Sequence, residues 1–133
     1  MRGIPAFTCL FLLSLPTFGA VLSPEYQQCV VATDTNDGWA QCSDQEIERQ
    51  EGRLEAVWNE TFTLMKKIAP KSAEMLLDEQ RAWVKYKDGA CNFYGSGDFV
   101  REGQVISLGR CKAQNIADRI EALSQLAKEL HSE

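Results

Sequence analysis

The stretch VISLGRCKAQNIADRIEALSQLAKEL, residues 105–130, decides the fold class of this chain. Apolar side chains recur in it mostly every three or four positions, the period that places them on one face of an α-helix. These positions are Val105, Leu108, Cys111, Ile116, Ile120, Leu123, Leu126 and Leu130. No part of the chain alternates apolar and polar residues for long enough to predict a β-strand. We therefore expect an all-α domain, a small bundle or hairpin of three to four helices.

Start and stop signals predict two helices in the first half of the chain. Ser23-Pro24 indicates the start of a short first helix, because serine is a good N-cap and proline fits the first helical position. The turn-forming run 33–38 ends it. Ser43-x-x-Glu46 has the pattern of a capping box and predicts the start of a longer second helix. Ala69-Pro70 is expected to end that helix.

A third helix is predicted between these two and the C-terminal one. Ser72 is its expected N-cap, and Gly95-Ser96-Gly97 is expected to stop it. Its predicted buried side consists of Met75, Leu76, Trp83, Val84 and Cys91. The segment from Gly95 to Gly103 then reads as a loop with Phe99 and Val100 tucked against the core.

The first twenty residues have the order of a secretory signal peptide. Met1-Arg2 supplies a positive charge, Ile4 to Phe18 contains no charged residue, and the small residues Gly19 and Ala20 follow. Two prolines and the short length of the apolar run argue against a buried helix or a membrane span. We expect residues 1–20 to be a cleaved signal peptide and residues 21–133 to be a single domain.

The position of the cut has two candidates. Cleavage after Gly19 places Thr17, a small residue, at the third position before the cut. Cleavage after Ala20 places the bulky Phe18 there. In both cases the product is expected to be soluble and exported, either periplasmic or secreted, with no further association with the membrane.

Charge and histidine content exclude several classes of function. The chain has 14 basic and 19 acidic residues, and the basic residues form no cluster of the kind that nucleic-acid binding requires. We therefore expect no nucleic-acid partner. The single histidine, His131, argues against His-based catalytic triads and multi-histidine metal sites. We expect no bound metal and no cofactor.

Paired carboxylates are the remaining route to catalysis, as in glycoside hydrolysis. The available acids Glu46, Glu48 and Asp78-Glu79 lie on helix faces among lysines and arginines, where charged side chains are usually solvated. No cleft is predicted around them. We expect no catalytic residue and no enzyme activity.

Four cysteines remain when the signal peptide and its Cys9 are removed, namely Cys29, Cys42, Cys91 and Cys111. An even number in an exported chain of this size predicts two disulfides. Four cysteines allow three pairings, and proximity along the chain favours Cys29–Cys42 and Cys91–Cys111. A zinc site is the rival interpretation, but the chain has no C-x-x-C pair and no histidine nearby.

One run of residues carries a family resemblance. It is Gln80-Arg81-x-Trp83-x-x-Tyr86-x-Asp88-x-x-Cys91, followed by a glycine-containing loop, Cys111, Arg119 and Leu123, and preceded by Cys29, Thr35 and Cys42. This pattern resembles the LprI-type domain of bacterial envelope proteins over about residues 26–126. The resemblance implies a small helical envelope domain tied by disulfides and, for some members, inhibition of c-type lysozyme. Fold membership alone does not decide function.

Structural roles are expected for four residues of this pattern, namely Gln80, Trp83, Asp88 and Arg119. Gln80, Trp83 and Lys87 share one helix face. This face either recognises a partner or, as we favour, packs Trp83 into the core with Gln80 and Lys87 as polar neighbours at its edge. Asp88 lies near the C-terminal end of its helix, where the helix dipole disfavours an anion. We therefore expect a cationic partner for it, and Arg119 is the candidate.

The loop of residues 95–103 is the best candidate for a binding element, with Ser96, Asp98 and Glu102 as the partner-binding residues. Lysozyme is strongly basic, so an acidic inhibitor gains electrostatic steering towards it. The equally weighted alternative is an ordinary helix connector. The resemblance therefore implies a protein-binding domain that inhibits lysozyme by steric occlusion, and we expect it to be monomeric or weakly dimeric. The second hypothesis is a structural or stress-related binding module of the envelope without lysozyme inhibition.

Overall fold

The computed structural model describes residues 20–132, which form four α-helices and one short 3-10 helix. The elements are α1 (Pro24–Val31), α2 (Asn36–Ile68), α3 (Pro70–Ala90), the 3-10 helix (Asn92–Gly95) and α4 (Arg101–His131). No strand occurs within residues 20–132, and the prediction of an all-α fold is confirmed. The predicted signal peptide lies outside the described residues, except for Ala20.

Helices α2 and α4 run in the same direction, and α3 returns antiparallel between their ends. Near the starts of the two helices, Gly109 approaches Ser43 so closely that an added Cβ would lie 2.4 Å from the serine Cβ. Further along both helices, the Thr61 hydroxyl donates to the Leu123 carbonyl over 3.2 Å. The missing side chain at Gly109 is therefore what allows the first turns of α4 to reach α2.

The core consists of two clusters that share α4. The first lies under α1 and contains Leu22, Tyr26, Cys42, Ala113 and Ala117. The second lies further along the helices and contains Leu54, Ile116, Ile120 and Leu123, with Leu76 and Trp83 of α3 packed against it. The small alanines of α4 admit the short α1, while its larger residues fill the space between α2 and α3.

The predicted start of the first helix is confirmed, because Ser23 is the N-cap and its hydroxyl accepts from Tyr26 N. The predicted start of the second helix at Ser43 is wrong. Helix α2 begins seven residues earlier, at Asn36, where Thr35 Oγ1 accepts from Gly38 N over 3.1 Å. Ser43 lies buried inside the helix, because the capping-box pattern is a local signal that an earlier cap can override.

The third helix also differs from its prediction. It begins at Pro70, directly after α2 ends at Ile68, and Ser72 is not its cap. Proline at the first helical position needs no partner for an N–H group, which is consistent with a start at that residue. Met75 is 73% exposed and Val84 is 40% exposed, so the predicted buried side is wrong at these two positions.

Candidate protein-binding site at the disulfide-closed tip

Two disulfides join Cys29 to Cys42 and Cys91 to Cys111, with Cα–Cα distances of 5.7 and 5.9 Å. The pairing favoured by chain proximity is confirmed. Cys91 is buried, and Asn115 Nδ2 lies 3.1 Å from its sulfur. The second disulfide therefore closes the connection between α3 and α4 at its base.

The non-helical part of this connection is shorter than the predicted loop of residues 95–103. Helix α3 ends at Ala90, the 3-10 helix spans Asn92–Gly95 and α4 begins at Arg101, so only Cys91 and residues 96–100 lie outside a helix. Gly97 has φ +95°, a left-handed conformation that favours glycine, and the chain turns there. The Gln104 side chain donates to the Phe99 carbonyl and fastens the turn to α4. We call residues 92–102 the tip.

The three predicted partner-binding residues lie together on the exposed surface of the tip. Asp98 N donates to Ser96 Oγ, and this oxygen also lies 3.5 Å from the Asp98 carboxylate. Glu102 is in the first turn of α4, where an acid is favoured by the helix dipole. Arg101 separates the two acids in sequence, so the tip carries two negative charges and one positive charge.

An exposed aromatic cluster was missed by the sequence interpretation. The ring of Tyr94 lies 4.2 Å from that of Phe93 and 5.4 Å from that of Phe99, measured between centroids. Phe93 is 56% exposed and Phe99 is 41% exposed, and the neighbouring Val100 is also exposed. The prediction that Phe99 and Val100 are tucked into the core is wrong. The signal that could have revealed the cluster is the spacing of three aromatics within seven residues.

A polar surface cavity of about 390 Å³ adjoins this cluster along α4. Tyr94 forms one wall, and Ser107, Arg110, Cys111, Gln114 and Asn115 form the rest. The tip therefore presents an apolar patch next to side chains that can donate and accept hydrogen bonds. This combination is typical of protein interfaces, in which aromatic anchors are surrounded by polar groups.

The predicted ion pair between Asp88 and Arg119 is wrong. Both terminal nitrogens of Arg119 bind the two carboxylate oxygens of Glu79, and its Nε donates to Gln80 Oε1 over 2.8 Å. Asp88 is nine residues further along α3, or about 14 Å at 1.5 Å per residue. Its nearest cation is Lys87 at 3.8 Å, and its side chain is exposed.

Trp83 lies between these polar groups and the core. It packs against the cluster of Leu54, Ile116, Ile120 and Leu123. The Arg119 guanidinium lies 5.7 Å from its ring centroid, and Lys87 Nζ lies 5.9 Å from the centroid. Gln80, Trp83 and Arg119 thus join α3 to α4, away from the tip.

Helix α1 is held by the carboxylate of Glu46. The sequence predicts a solvated face for this acid, but it is buried. Glu46 is fully buried and accepts from the Ser23 backbone N–H at 2.9 Å, from the Ser23 hydroxyl, and from Gln50 Nε2 at 2.7 Å. Arg49 adds an ion pair at 3.0 Å. Burial by itself raises the pKa of Glu46, but these hydrogen bonds outweigh it and hold the pKa below its usual value.

The residues described define a helical, disulfide-tied domain with an exposed, covalently closed tip. Within residues 20–132, no helix is both long and apolar enough to cross a membrane, and no group of three or more His, Cys, Asp or Glu side chains is arranged to hold a metal ion. A family model described as "Lysozyme inhibitor LprI" matches residues 29–123. The chain belongs to this family, which is an inhibitor family rather than an enzyme family. Comparisons with curated proteins and with solved structures gave no significant match.

Proposed function

We propose that this protein is an exported protein-binding domain that inhibits lysozyme by covering its substrate cleft. The observation that carries the proposal is the family match over residues 29–123, which includes both disulfides. Disulfides of this kind are typical of oxidising compartments. Together with the predicted signal peptide of residues 1–20, they support a periplasmic or secreted location.

The tip is the surface that we assign to the partner. Aromatic side chains are enriched among the residues that dominate binding energy, and Phe93 and Phe99 are exposed without a covering element among the described residues. The Cys91–Cys111 disulfide holds these rings in place before binding, so less conformational entropy is lost on association. A rigid tip of this form can enter a cleft and exclude substrate.

Electrostatics supports a basic partner. The formal net charge of the chain is −5, and Asp98 and Glu102 add acidic groups beside the aromatic rings. Charge complementarity mainly raises the association rate, and exposed ion pairs add little to affinity. The aromatic rings should therefore account for most of the affinity, and the acids for its dependence on salt.

A turbidity assay of cell-wall lysis by lysozyme, with the oxidised domain titrated in, tests this proposal. Dose-dependent inhibition is expected, and Phe93→Ala/Phe99→Ala should weaken it by roughly 30-fold, equivalent to about 2 kcal/mol of binding energy. Met75→Ala is the matched control, because Met75 is an exposed apolar side chain of α3 away from the tip.

The acidic residues need a separate comparison. Asp98→Asn/Glu102→Gln should weaken inhibition severalfold at low salt and much less at high salt, because salt screens exposed charges. Glu48→Gln/Glu55→Gln removes the same number of charges from exposed positions of α2 and controls for net charge. Ser96→Ala should have a small effect, because its hydroxyl mainly supports the turn.

Two results would contradict the proposal at different levels. If the tip variants inhibit as well as the wild-type protein, lysozyme inhibition stands but the tip is not the contact surface. No inhibition of c-type, g-type or bacterial lytic enzymes at micromolar protein would contradict the function itself. The domain would then be an envelope binding module for another partner.

A further inference from the structure

The segment before α1 is fixed to α4 by two hydrogen bonds, and a third, within α4, links the two side chains that make them. Ala20 N donates to Asp118 Oδ1 over 2.8 Å, and Gln114 Nε2 donates to the same oxygen over 2.9 Å. Gln114 also donates to the Ala20 carbonyl. Two residues later, Leu22 is buried in the cluster under α1. The chain is therefore docked from Ala20 onward, by a carboxylate and an amide on one face of α4.

The carboxylate at this position is suited to a positively charged nitrogen. An amide nitrogen offers one hydrogen and no net charge, whereas a free N-terminal ammonium offers three hydrogens and a full charge. Hydrogen bonds from an ammonium to a carboxylate are shorter and stronger than those between neutral groups. The geometry at Asp118 serves either form, but the carboxylate charge is matched only by the ammonium.

We propose that processing cuts the chain between Gly19 and Ala20, and that Asp118 and Gln114 form the binding site for the new N-terminal ammonium. In this step an endoprotease of the signal-peptidase class catalyses addition of water to the Gly19 carbonyl carbon. The peptide C–N bond breaks, leaving a Gly19 carboxylate and an Ala20 ammonium.

Two independent observations agree on this bond. Cleavage there places the small residues Thr17 and Gly19 at the third and first positions before the cut, which signal peptidases require. A cut one residue later would remove Ala20 and all of its contacts with α4. The new first residue, Val21, is 81% exposed and would not replace them.

Among residues 20–132, Asp118 is the acid that contacts Ala20 N. Arg110 lines the same surface cavity as Ala20 and Gln114, and its like charge opposes a second cation there. Asp118 is thus the side chain whose removal should release the ammonium. Glu121 lies three residues further along α4, is also exposed, and serves as the matched control.

The first test is the intact mass of the protein exported by a bacterial host from the full 133-residue chain. The expected product begins at Ala20. A product that begins at Val21 or at any other residue overturns the proposal. This result does not depend on lysozyme inhibition, so the two proposals fail separately.

The second test measures how fast the N-terminal amine of the exported protein reacts with an N-hydroxysuccinimide ester at neutral pH. Asp118→Asn should raise this rate about twofold to fivefold, because an exposed ion pair of about 0.4–1 kcal/mol no longer holds the amine in its charged form. Glu121→Gln should leave the rate unchanged. Equal rates in the wild-type protein and in Asp118→Asn would show that the ammonium is not bound there.

Discussion

Residues 20–42 and the tip are each tied to the bundle by a disulfide, but only the first segment is also held by the core. Residues 20–42 bury Leu22 and Tyr26 and attach to Glu46 by two hydrogen bonds from Ser23. The tip instead exposes Phe93 and Phe99, and its own hydrogen bonds are local. The Cys29–Cys42 disulfide thus adds to the packing of α1, whereas the Cys91–Cys111 disulfide holds a tip that has little packing of its own.

The largest effects should come from removing each disulfide in turn. By loop entropy, Cys29→Ala/Cys42→Ala and Cys91→Ala/Cys111→Ala should each lower the free energy of unfolding by about 3 kcal/mol, because the closed loops are similar in length. Amide hydrogen exchange near the lost disulfide should differ between the two variants. Amides of α1 should retain much of their protection in the first variant, whereas amides of residues 92–100 should lose theirs in the second.

Urea unfolding and amide hydrogen exchange measure both quantities. Lysozyme inhibition should weaken mainly when the tip disulfide is absent. Equal loss of protection in the two segments would contradict the comparison, because the core contacts of α1 would then contribute nothing to its order.

A smaller effect is expected from adding one methyl group either at Gly109, which contacts Ser43 next to the first disulfide, or at Gly95 in the tip. Gly109→Ala should lower the free energy of unfolding by about 2 kcal/mol, because the new Cβ overlaps Ser43 at the contact between α4 and α2. Gly95→Ala in the tip places its Cβ 3.8 Å from Leu108, an ordinary contact, and should change stability little.

Ser43→Gly sharpens this test, because it removes the atoms that Gly109→Ala meets. The serine hydroxyl has no hydrogen-bond partner among residues 20–132, so the single variant is expected to cost at most about 1 kcal/mol, the cost of a glycine inside a helix. The double variant should therefore be more stable than the sum of the two changes predicts. Additivity in a double-mutant cycle would show that the close approach does not limit packing.

The smallest effect concerns the buried carboxylate under α1. Glu46→Gln should lower the free energy of unfolding by about 1–2 kcal/mol at pH 7, because hydrogen bonds to a charged acceptor are stronger than those to an amide. The pKa of Glu46 is lowered in the folded state, so its contribution is fully present above the pKa of an unperturbed glutamate. It is lost as the pH falls from there through the folded-state pKa.

Urea titrations at pH 7, 5 and 3 check this dependence. The difference in stability between the wild-type protein and Glu46→Gln should shrink at the lowest pH. Glu48→Gln, an exposed acid two residues away, should show no such difference. A gap that stays constant with pH would mean that the charge of Glu46 does not stabilise the docked α1.

Features set by neighbouring residues could be predicted from the sequence. The Ser23-Pro24 start, the stop at Ala69-Pro70 and the disulfides between cysteines 13 and 20 residues apart all depend on local signals or short separations. Helical periodicity in residues 105–130 was sufficient to predict the all-α fold class. These signals hold because they do not depend on how the helices are positioned against one another.

Features set by helix register could not be predicted. The capping-box pattern predicts that Glu46 caps its own helix, but Glu46 instead accepts two hydrogen bonds from Ser23, the N-cap of α1. Arg119 was assigned to Asp88, but the antiparallel return of α3 places Glu79 beside it instead. The three aromatic residues of the tip are close enough in sequence to predict a cluster, but their exposure is known only once the helices are packed.

Both disulfides lie at the same end of the molecule, as the contact of Ser43, next to Cys42, with Gly109, near Cys111, shows. The opposite end, with the α2–α3 junction at Ala69 and the last turn of α4 at His131, has no covalent tie among the described residues. Heat or mechanical force should therefore separate the helices from that end first. The tip would keep its covalent ring while the far half frays, so partner recognition should outlast partial melting of the domain.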